Sequence, residues 1–235
     1  MEPIDTERNL RIVEAQIART AESCGRSVSE VQLIAISKTF TAQTILAATA
    51  AGQLRFGENR IQEAEPKILA LRGIPGIEWH LVGHLQSNKA KRAAELFDVV
   101  HSLDSVKLAL RLSEGCSAAG RILRVLLQVD LGHEATKSGA APDEVRNIIA
   151  AASSLKGIRL DGLMTIPPFF DDPERTRPYF SALRQLRDTL ESERAGCLGP
   201  GHLSMGMSHD FEVAIQEGAT MVRIGTAIFG DRSHG

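Results

Sequence analysis

The chain has 235 residues, of which 43% are hydrophobic and 24% are charged, and its formal net charge is -2 at pH 7. This composition is typical of a globular protein with a full core, and it argues against intrinsic disorder and against nucleic-acid binding. No apolar run is long enough to cross a membrane, and the acidic start MEPIDTERNL lacks the basic and apolar parts of a secretory signal. We therefore predict no membrane association.

The cysteine pattern indicates a reducing compartment. Cys24, Cys116 and Cys197 are far apart in the chain, odd in number and free of any CxxC spacing. This pattern argues against a disulfide framework and against a structural zinc site. The predicted location is the cytoplasm.

Short apolar runs alternate with longer helical segments along almost the whole chain, after a polar amphipathic segment at residues 6–24 that is predicted to be a helix. The eight runs are residues 33–37, 54–57, 78–83, 98–102, 123–129, 159–165, 202–206 and 221–225. Several of them are apolar on both faces, as is typical of parallel strands covered by helices.

Helix boundaries between the runs support this alternation. Residues 142–144 and 172–174 each combine a proline or cap residue with acidic residues, which predicts a first helical turn at both places. Gly52 and Gly218 stand where helices should end before the second and eighth strands. The predicted fold class is α/β, with residues 1–235 forming a single (β/α)8 TIM barrel and one extra N-terminal helix. An open doubly wound sheet would need a glycine-rich turn after the first strand, where this sequence reads SKTFTAQ.

Two loops near the end of the chain are candidates for binding a phosphate group. In a (β/α)8 barrel, the loops after strands seven and eight often hold phosphate at the carboxyl ends of the strands. The first loop, SMGMSHD, contains Gly206 and Ser208, and Ser208 is predicted both to cap the next helix and to donate its hydroxyl. The second loop, RIGTAIFG, contains Gly225 and Thr226. The alternative for each loop is an ordinary helix cap and turn.

Arg223 and Asn59 are candidate ligand contacts at the same end of the barrel. Strand alternation places Arg223 on the opposite face from Val222 and Ile224, towards the barrel interior, where a guanidinium must find an acceptor. That acceptor is either a core carboxylate or a ligand atom such as a pyridine nitrogen. Asn59 follows the second strand and could contact a ring substituent, or could be an ordinary turn residue.

Lys38 follows the first apolar run, LIAIS, at the predicted mouth of the barrel. Desolvation there disfavours the ammonium form, so that Lys38 could act as a neutral nucleophile towards a carbonyl group. A lysine beside a phosphate-binding loop predicts an aldehyde phosphate as the ligand. The alternatives are an ion-paired or snorkelling lysine, and an aldolase lysine that acts on a sugar phosphate without a cofactor.

Seven segments, read together, resemble the pyridoxal phosphate homeostasis protein family, also called proline synthetase co-transcribed proteins. They are AISKT, FGENRIQE, EWHLVGHLQSNKAK, VHSLDS, LDGLMTIPP, LSMGMSHD and ATMVRIGTAIFG. The resemblance implies a fold type III barrel that binds pyridoxal 5'-phosphate (PLP), similar to the N-terminal domain of bacterial alanine racemases, with Lys38 as the Schiff-base residue. It also implies phosphate contacts from Ser208, Gly225 and Thr226, a pyridine-nitrogen contact from Arg223 and a ring-side contact from Asn59. Gly206 and Met207, just before Ser208, are further predicted cofactor-binding residues.

The same residues favour a PLP carrier or regulator over an enzyme. An arginine at the pyridine nitrogen leaves the cofactor a weak electron sink, and racemisation needs a second base besides Lys38. In alanine racemases that base comes from a further domain, which this sequence is expected to lack; Tyr179 lies in a helical stretch and is predicted to pack. The partners implied are PLP and PLP-dependent apoenzymes, and we expect a monomer. The alternatives are a racemase-like enzyme with weak activity and an interaction module without a cofactor.

Three further patterns are weaker functional candidates. His80 and His84 are four residues apart, but on a strand this separates them by about 13 Å, which is too far for a shared metal. The segment GHEATKSG resembles a zinc-protease motif but has Lys137 in place of the second histidine. The basic cluster at residues 87–95 is typical of a solvated helix face.

Overall fold

The computed structural model describes residues 5–132 and 138–230, and in these ranges strands and helices alternate along the chain. The strands are β1 (Gln32–Ile36), β2 (Arg55–Glu58), β3 (Glu78–Leu81), β4 (Val99–Leu103), β5 (Leu123–Gln128), β6 (Ile158–Met164), β7 (His202–Met207) and β8 (Met221–Ile224). The helices are α1 (Thr6–Ser23), α2 (Ala42–Ala50), α3 (Ile61–Leu71), α4 (Ala90–Leu96), α5 (Val106–Ala118), α6 (Val145–Ser153), α7 (Arg177–Glu193), α8 (Phe211–Gln216) and α9 (Thr226–Phe229). Single 3-10 turns lie at Val28–Glu30, Ser87–Lys89 and Pro173–Thr176.

The strands form a closed parallel barrel in chain order. Each strand pairs with the next, and β1 also pairs with β8, so the sheet has no free edge. Ile34 of β1 lies opposite Arg223 of β8, and Ile36 lies opposite Gly57 of β2. The predicted (β/α)8 barrel with an extra N-terminal helix is therefore confirmed, and each predicted apolar run overlaps one of the strands.

Strand alternation divides the core into two layers. The inner layer fills the barrel with apolar side chains from alternate positions of the strands, namely Ile34, Ile36, Val82, Val99, Leu126, Met164 and Met221. The outer layer lies between the barrel and the helices, where the rings of Phe56 and Trp79 pack with their centroids 5.8 Å apart. Both faces of the strands are thus buried, which explains their continuous apolar runs.

The extra helix α1 packs on α2, α8 and α9, and so covers the side of the barrel where the first strand, β1, pairs with the last, β8. Its apolar stripe of Leu10, Val13 and Ile17 is buried, and the side chain of Asn9 donates a hydrogen bond of 3.0 Å to the carbonyl of Ile228. The helix begins after Asp5, whose carboxylate accepts a hydrogen bond from a backbone N–H in the first turn. The helix is therefore part of the packed structure.

The predicted helix boundaries are confirmed at three places and wrong at one. Gly52 and Gly218 have φ values of 101° and 95°, as expected of residues that end a helix, and Asp172 caps the 3-10 turn that precedes α7. Residues 142–144 form a turn rather than the first turn of α6. The N–H of Glu144 bonds to the carbonyl of Ala141, three residues back, and the α-helical spacing begins only with Val145.

The packing of α1 predicts a large difference between two neighbouring apolar residues. Substitution of the buried Leu10 by alanine should lower the free energy of unfolding by about 2–5 kcal/mol, because it leaves a cavity under the helix. Ile12 is 48% exposed, and Ile12→Ala should change the stability far less. Urea unfolding of the two variants measures this, and equal effects would contradict the packed position of α1.

Candidate functional site

Lys38 lies at the carboxyl end of β1, at the mouth of the barrel. Side chains along a strand alternate between its two faces. Ile34 and Ile36 belong to the inner layer, and Lys38 continues this series of every second residue, whereas Ser37 faces the surrounding helices. The Lys38 side chain is half-buried. Thr39, the next residue, has a φ of 69°, and it is the one non-glycine residue with positive φ in the part of the chain that the structure describes. The backbone thus turns sharply at the predicted reactive lysine.

A buried ion pair holds the backbone immediately before Lys38. The hydroxyl of Ser37 donates to Oε1 of Glu58 at 2.6 Å, and Nζ of Lys67 donates to the same oxygen and to the carbonyl of Ser37, both at 2.8 Å. Burial raises the pKa of the Glu58 carboxyl, and the hydrogen bond from Lys67 partly opposes this effect. We name Ser37, Glu58 and Lys67 the lysine clamp.

The lysine clamp was not predicted from the sequence. Glu58 immediately precedes Asn59, but its side chain points outwards to α3 rather than into the mouth. The sequence does contain a signal for this ion pair, because both charged residues lie among apolar residues. Glu58 ends a buried strand, and Lys67 lies on the buried face of α3, which places each charge where it needs a partner.

Arg223 lies inside the barrel, as predicted, and is 3% exposed. Its guanidinium donates to the hydroxyl of Ser204 at 2.7 Å and to the carbonyl of Thr165 at 2.9 Å. Both acceptors are neutral, so the core carboxylate considered as an alternative is not a hydrogen-bond partner among the described residues. Burial lowers the pKa of Arg223 to about 10, which leaves the side chain charged at neutral pH.

The loops after β7 and β8 touch each other. The backbone N–H of Gly225 donates to the hydroxyl oxygen of Ser208 at 3.2 Å. The prediction that Ser208 caps the following helix is wrong, because α8 begins directly after Asp210, and the Ser208 hydroxyl oxygen accepts instead from Gly225, the residue that follows β8. Asp210 itself accepts a hydrogen bond of 2.7 Å from the N–H of Met207. Thr226 is exposed at the start of α9.

Two glycines lie where the backbone of these segments approaches neighbouring atoms closely. Gly206 has a φ of 90°, and a Cβ at this position would lie 2.6 Å from Cβ of Ala214 on α8, so packing alone explains this glycine. A Cβ on Gly225 would lie 3.3 Å from Cβ of Ile36, two residues before Lys38. The loop after β8 therefore runs directly beside the strand that carries the lysine.

Asn59 is half-buried and follows β2 at the same end of the barrel. It lines a cavity of about 210 Å³ together with Leu81 and His84. The predicted residues thus follow β7, β8, β1 and β2, which are consecutive neighbours around the barrel. The fold brings to one side of the mouth an amine, a buried guanidinium, two hydroxyls and an amide. Lys38, Asn59, Gly206, Met207, Ser208, Arg223, Gly225 and Thr226 contribute to this side.

A chain of polar side chains crosses the barrel interior below Arg223. Ser204 also bonds Nδ1 of His101 at 2.8 Å, Nε2 of His101 bonds Nδ1 of His80 at 2.8 Å, and Nε2 of His80 bonds Oε1 of Glu78 at 2.6 Å. Burial lowers the pKa of His80 and, more strongly, that of His101, so both rings are neutral. Burial raises the pKa of Glu78, but the hydrogen bond from His80 and the charge and hydrogen bond of Arg124 outweigh this effect and lower the pKa, so Glu78 is ionised at neutral pH.

The other sequence candidates do not assemble into a site. His80 is fully buried in the polar chain, whereas His84 is exposed and lies 3.5 Å from Asp104, and the described residues contain no cluster of ligands that could hold a metal ion. The core of the protease-like segment, residues 133–137, lies outside the described residues. Tyr179 stacks on Phe170 with the ring centroids 6.0 Å apart, which is consistent with a packing role.

Comparison with known proteins identifies the family. The model of the alanine racemase N-terminal domain matches residues 9–233. A pyridoxal phosphate homeostasis protein from Aquifex aeolicus is 42% identical over 228 residues, which cover 97% of this chain and 98% of that protein. The chain belongs to the pyridoxal phosphate homeostasis protein family.

Solved structures agree with this assignment. PipY from Synechococcus elongatus, determined without PLP, has a TM-score of 0.87 and 39% identity over 96% of this chain and 100% of that chain. The same protein with PLP bound has a TM-score of 0.81 and 41% identity over 91% of this chain and 100% of that chain. Among the residues that the structure describes, no helix has the length and apolar character needed to cross a membrane.

The lysine clamp predicts a large loss of stability when one charge is removed. Lys67→Met should lower the free energy of unfolding by about 3–5 kcal/mol, because it leaves Glu58 buried without its cation. The double variant Lys67→Met with Glu58→Gln should recover part of the loss, since no charge is then buried alone. Urea unfolding measures both, and a double variant no more stable than Lys67→Met would contradict the ion pair.

The neutral state of His101 predicts a pH-dependent effect of its substitution. The unfolded chain, with the ordinary histidine value of 6.5, takes up a proton below that pH, whereas native His101 does not, because burial lowers its pKa. The stabilisation from His101 therefore decreases as the pH falls, by up to about 1.4 kcal/mol per pH unit.

The cost of His101→Gln in unfolding free energy should accordingly be larger at pH 7 than at pH 5. Urea unfolding of the wild-type protein and the variant at several pH values between these limits gives the difference directly. A difference that grows towards acidic pH would show that His101 is charged in the folded protein.

Proposed function

We propose that this protein binds PLP through Lys38 and acts in the homeostasis of this cofactor, as a carrier or regulator. The observation that carries the proposal is the placement of Lys38, Arg223 and the joined loops of Ser208 and Gly225 on adjacent strands of one barrel mouth. The names of the curated relatives, and the PLP bound to the related PipY, support the same ligand.

The residues at the mouth fit the groups that PLP carries. Lys38 would be the covalent attachment point, through a Schiff base, and the loops with Gly206, Met207, Ser208, Gly225 and Thr226 would hold the phosphate through hydroxyls and backbone N–H groups. Arg223 would donate a hydrogen bond to the pyridine nitrogen, and Asn59 would contact the ring. When bound, the cofactor supplies a carbonyl carbon that reacts reversibly with amines and an aromatic ring that can accept electrons.

The chemistry of Arg223 favours a carrier over a catalyst. With a pKa of about 10 the guanidinium keeps its proton at neutral pH, so it donates a hydrogen bond without protonating the ring nitrogen. The ring then withdraws electrons weakly, and transamination or decarboxylation is poorly supported. Racemisation would need a second base opposite Lys38, and Tyr179 is stacked on Phe170 instead of serving as that base.

The proposal also includes the partners, the location and the oligomeric state of the protein. A carrier would deliver PLP to PLP-dependent apoenzymes, and a cytoplasmic location is consistent with three free cysteines. We propose that it works as a monomer. Sedimentation of the purified protein, with and without PLP, would detect a dimer and so contradict this part of the proposal.

The test of the proposed function is the absorbance spectrum of the purified protein after addition of PLP. A yellow band that bleaches with borohydride, and a pyridoxyl mass on the peptide that contains Lys38, are expected. Lys38→Ala should abolish the band, whereas Lys156→Ala, which removes an exposed lysine remote from the mouth, should not.

Absence of the band in the wild-type protein would overturn PLP binding and would favour a structural or aldolase lysine. Assays for racemase and decarboxylase turnover on the PLP-loaded protein separate a carrier from an enzyme. Turnover at ordinary enzyme rates would contradict the carrier and support the racemase-like alternative.

A further inference from the structure

A continuous chain of hydrogen bonds runs from the proposed cofactor site to the opposite end of the barrel. Its members are Arg223, Ser204, His101, His80 and Glu78, and the four contacts are 2.7, 2.8, 2.8 and 2.6 Å long. The residues come from β8, β7, β4 and β3, so the chain crosses the lumen instead of following one strand. We name it the interior relay.

The two ends of the interior relay fix the direction of every hydrogen bond in it. Arg223 has only donors, so the Ser204 oxygen accepts from it. Glu78 is ionised and only accepts, so His80 carries its proton on Nε2 and presents Nδ1 as an acceptor. His101 then donates from Nε2 and accepts at Nδ1, so the Ser204 hydroxyl donates to it. Because both rings are neutral, each ring nitrogen is either a donor or an acceptor, and only this one arrangement of protons satisfies all four hydrogen bonds.

Burial makes the interior relay electrostatically effective. Ser204, His101 and His80 are fully buried, and apolar side chains of the inner layer, including Val99 and Met221, lie on the same strands as relay members. In such surroundings neighbouring hydrogen bonds polarise one another more strongly than they would in water. The carboxylate at one end therefore increases the acceptor strength of the Ser204 oxygen at the other.

The far end of the relay is accessible from the opposite face of the barrel. Glu78 begins β3. Its Oε2 lies 2.5 Å from the guanidinium of Arg124, and Nε of Arg55 lies 3.7 Å from Oε1, the oxygen that His80 contacts. Glu78 lines cavities of about 550 and 440 Å³ at this face. It can therefore be changed without touching the mouth that holds Lys38.

We propose that Glu78, His80, His101 and Ser204 are positioning residues for the cofactor, because they hold the guanidinium of Arg223 in place through the interior relay. The inference rests on the proposed function, in which Arg223 contacts the pyridine nitrogen. It extends the binding site from the barrel mouth to the amino-terminal face. Retention of PLP thus depends on a carboxylate that never touches the cofactor.

The experiment is a double-mutant cycle between the two ends of the relay, read by the dissociation constant and the absorbance spectrum of bound PLP. Glu78→Gln keeps the shape of the side chain but removes the charge, and it should weaken PLP binding about threefold to tenfold and shift the absorbance band. Ser204→Ala cuts the relay next to Arg223. In the Ser204→Ala background, Glu78→Gln should have almost no further effect.

A matched control is His202→Gln. His202 lies on β7 two residues before Ser204, is half-buried, and bonds the hydroxyl of Thr220 at 3.1 Å outside the relay. It should leave PLP affinity unchanged. If Glu78→Gln leaves the affinity and the spectrum unchanged, or if its effect is undiminished in the Ser204→Ala background, the proposal is overturned.

The ¹⁵N shifts of the histidine side chains separate failure of the relay from failure of the proposed function. They report the tautomers without any cofactor, and both buried rings should carry their proton on Nε2 in the wild-type protein. Glu78→Gln should alter the shifts of His101, although the two residues make no direct hydrogen bond in the relay. A protein that takes up no PLP but shows this change would lose only its proposed function, whereas an unchanged His101 would overturn the relay itself.

Discussion

The pairing of β1 with β8 is the constraint on which the rest of the structure depends. It closes the sheet, removes both edges and sets Ile34 opposite Arg223, so that the strand with the lysine lies next to the strand with the buried arginine. The same closure brings the chain close to Ile36 where it leaves β8, so that a Cβ at position 225 would lie only 3.3 Å from Cβ of Ile36. Residues almost 190 positions apart in the sequence, 38 and 225, thereby share one mouth.

The fold was largely predictable from the sequence because each of its signals is local. An apolar run followed by a helical segment, repeated eight times, defines the barrel, and glycines such as Gly52 and Gly218 mark the ends of helices. The start of α6 was misplaced because a proline followed by acidic residues is typical both of a first helical turn and of the turn before a helix. Only the spacing of the backbone hydrogen bonds distinguishes them.

The candidate site was predictable only where position along a strand determines location. Lys38 and Arg223 were placed correctly because strand alternation and the barrel rule determine where they lie. The prediction that Ser208 caps α8 was wrong, because the partner of its hydroxyl is in the neighbouring loop and no local pattern reveals it. The lysine clamp and the interior relay were missed for the same reason, since each joins side chains from different strands or helices whose facing positions depend on the register of the barrel.

The hydrogen bond between Ser208 and Gly225 has a consequence for the kinetics of ligand exchange. It ties the two loops to each other, so they form one ordered rim before any anion arrives. A rim that is already ordered loses little conformational entropy on binding, and capture is then fast and limited by encounter. The lifetime of a complex on such a rim depends on the bonds that the ligand makes. An ordered rim therefore favours rapid capture, because the two loops need not rearrange first.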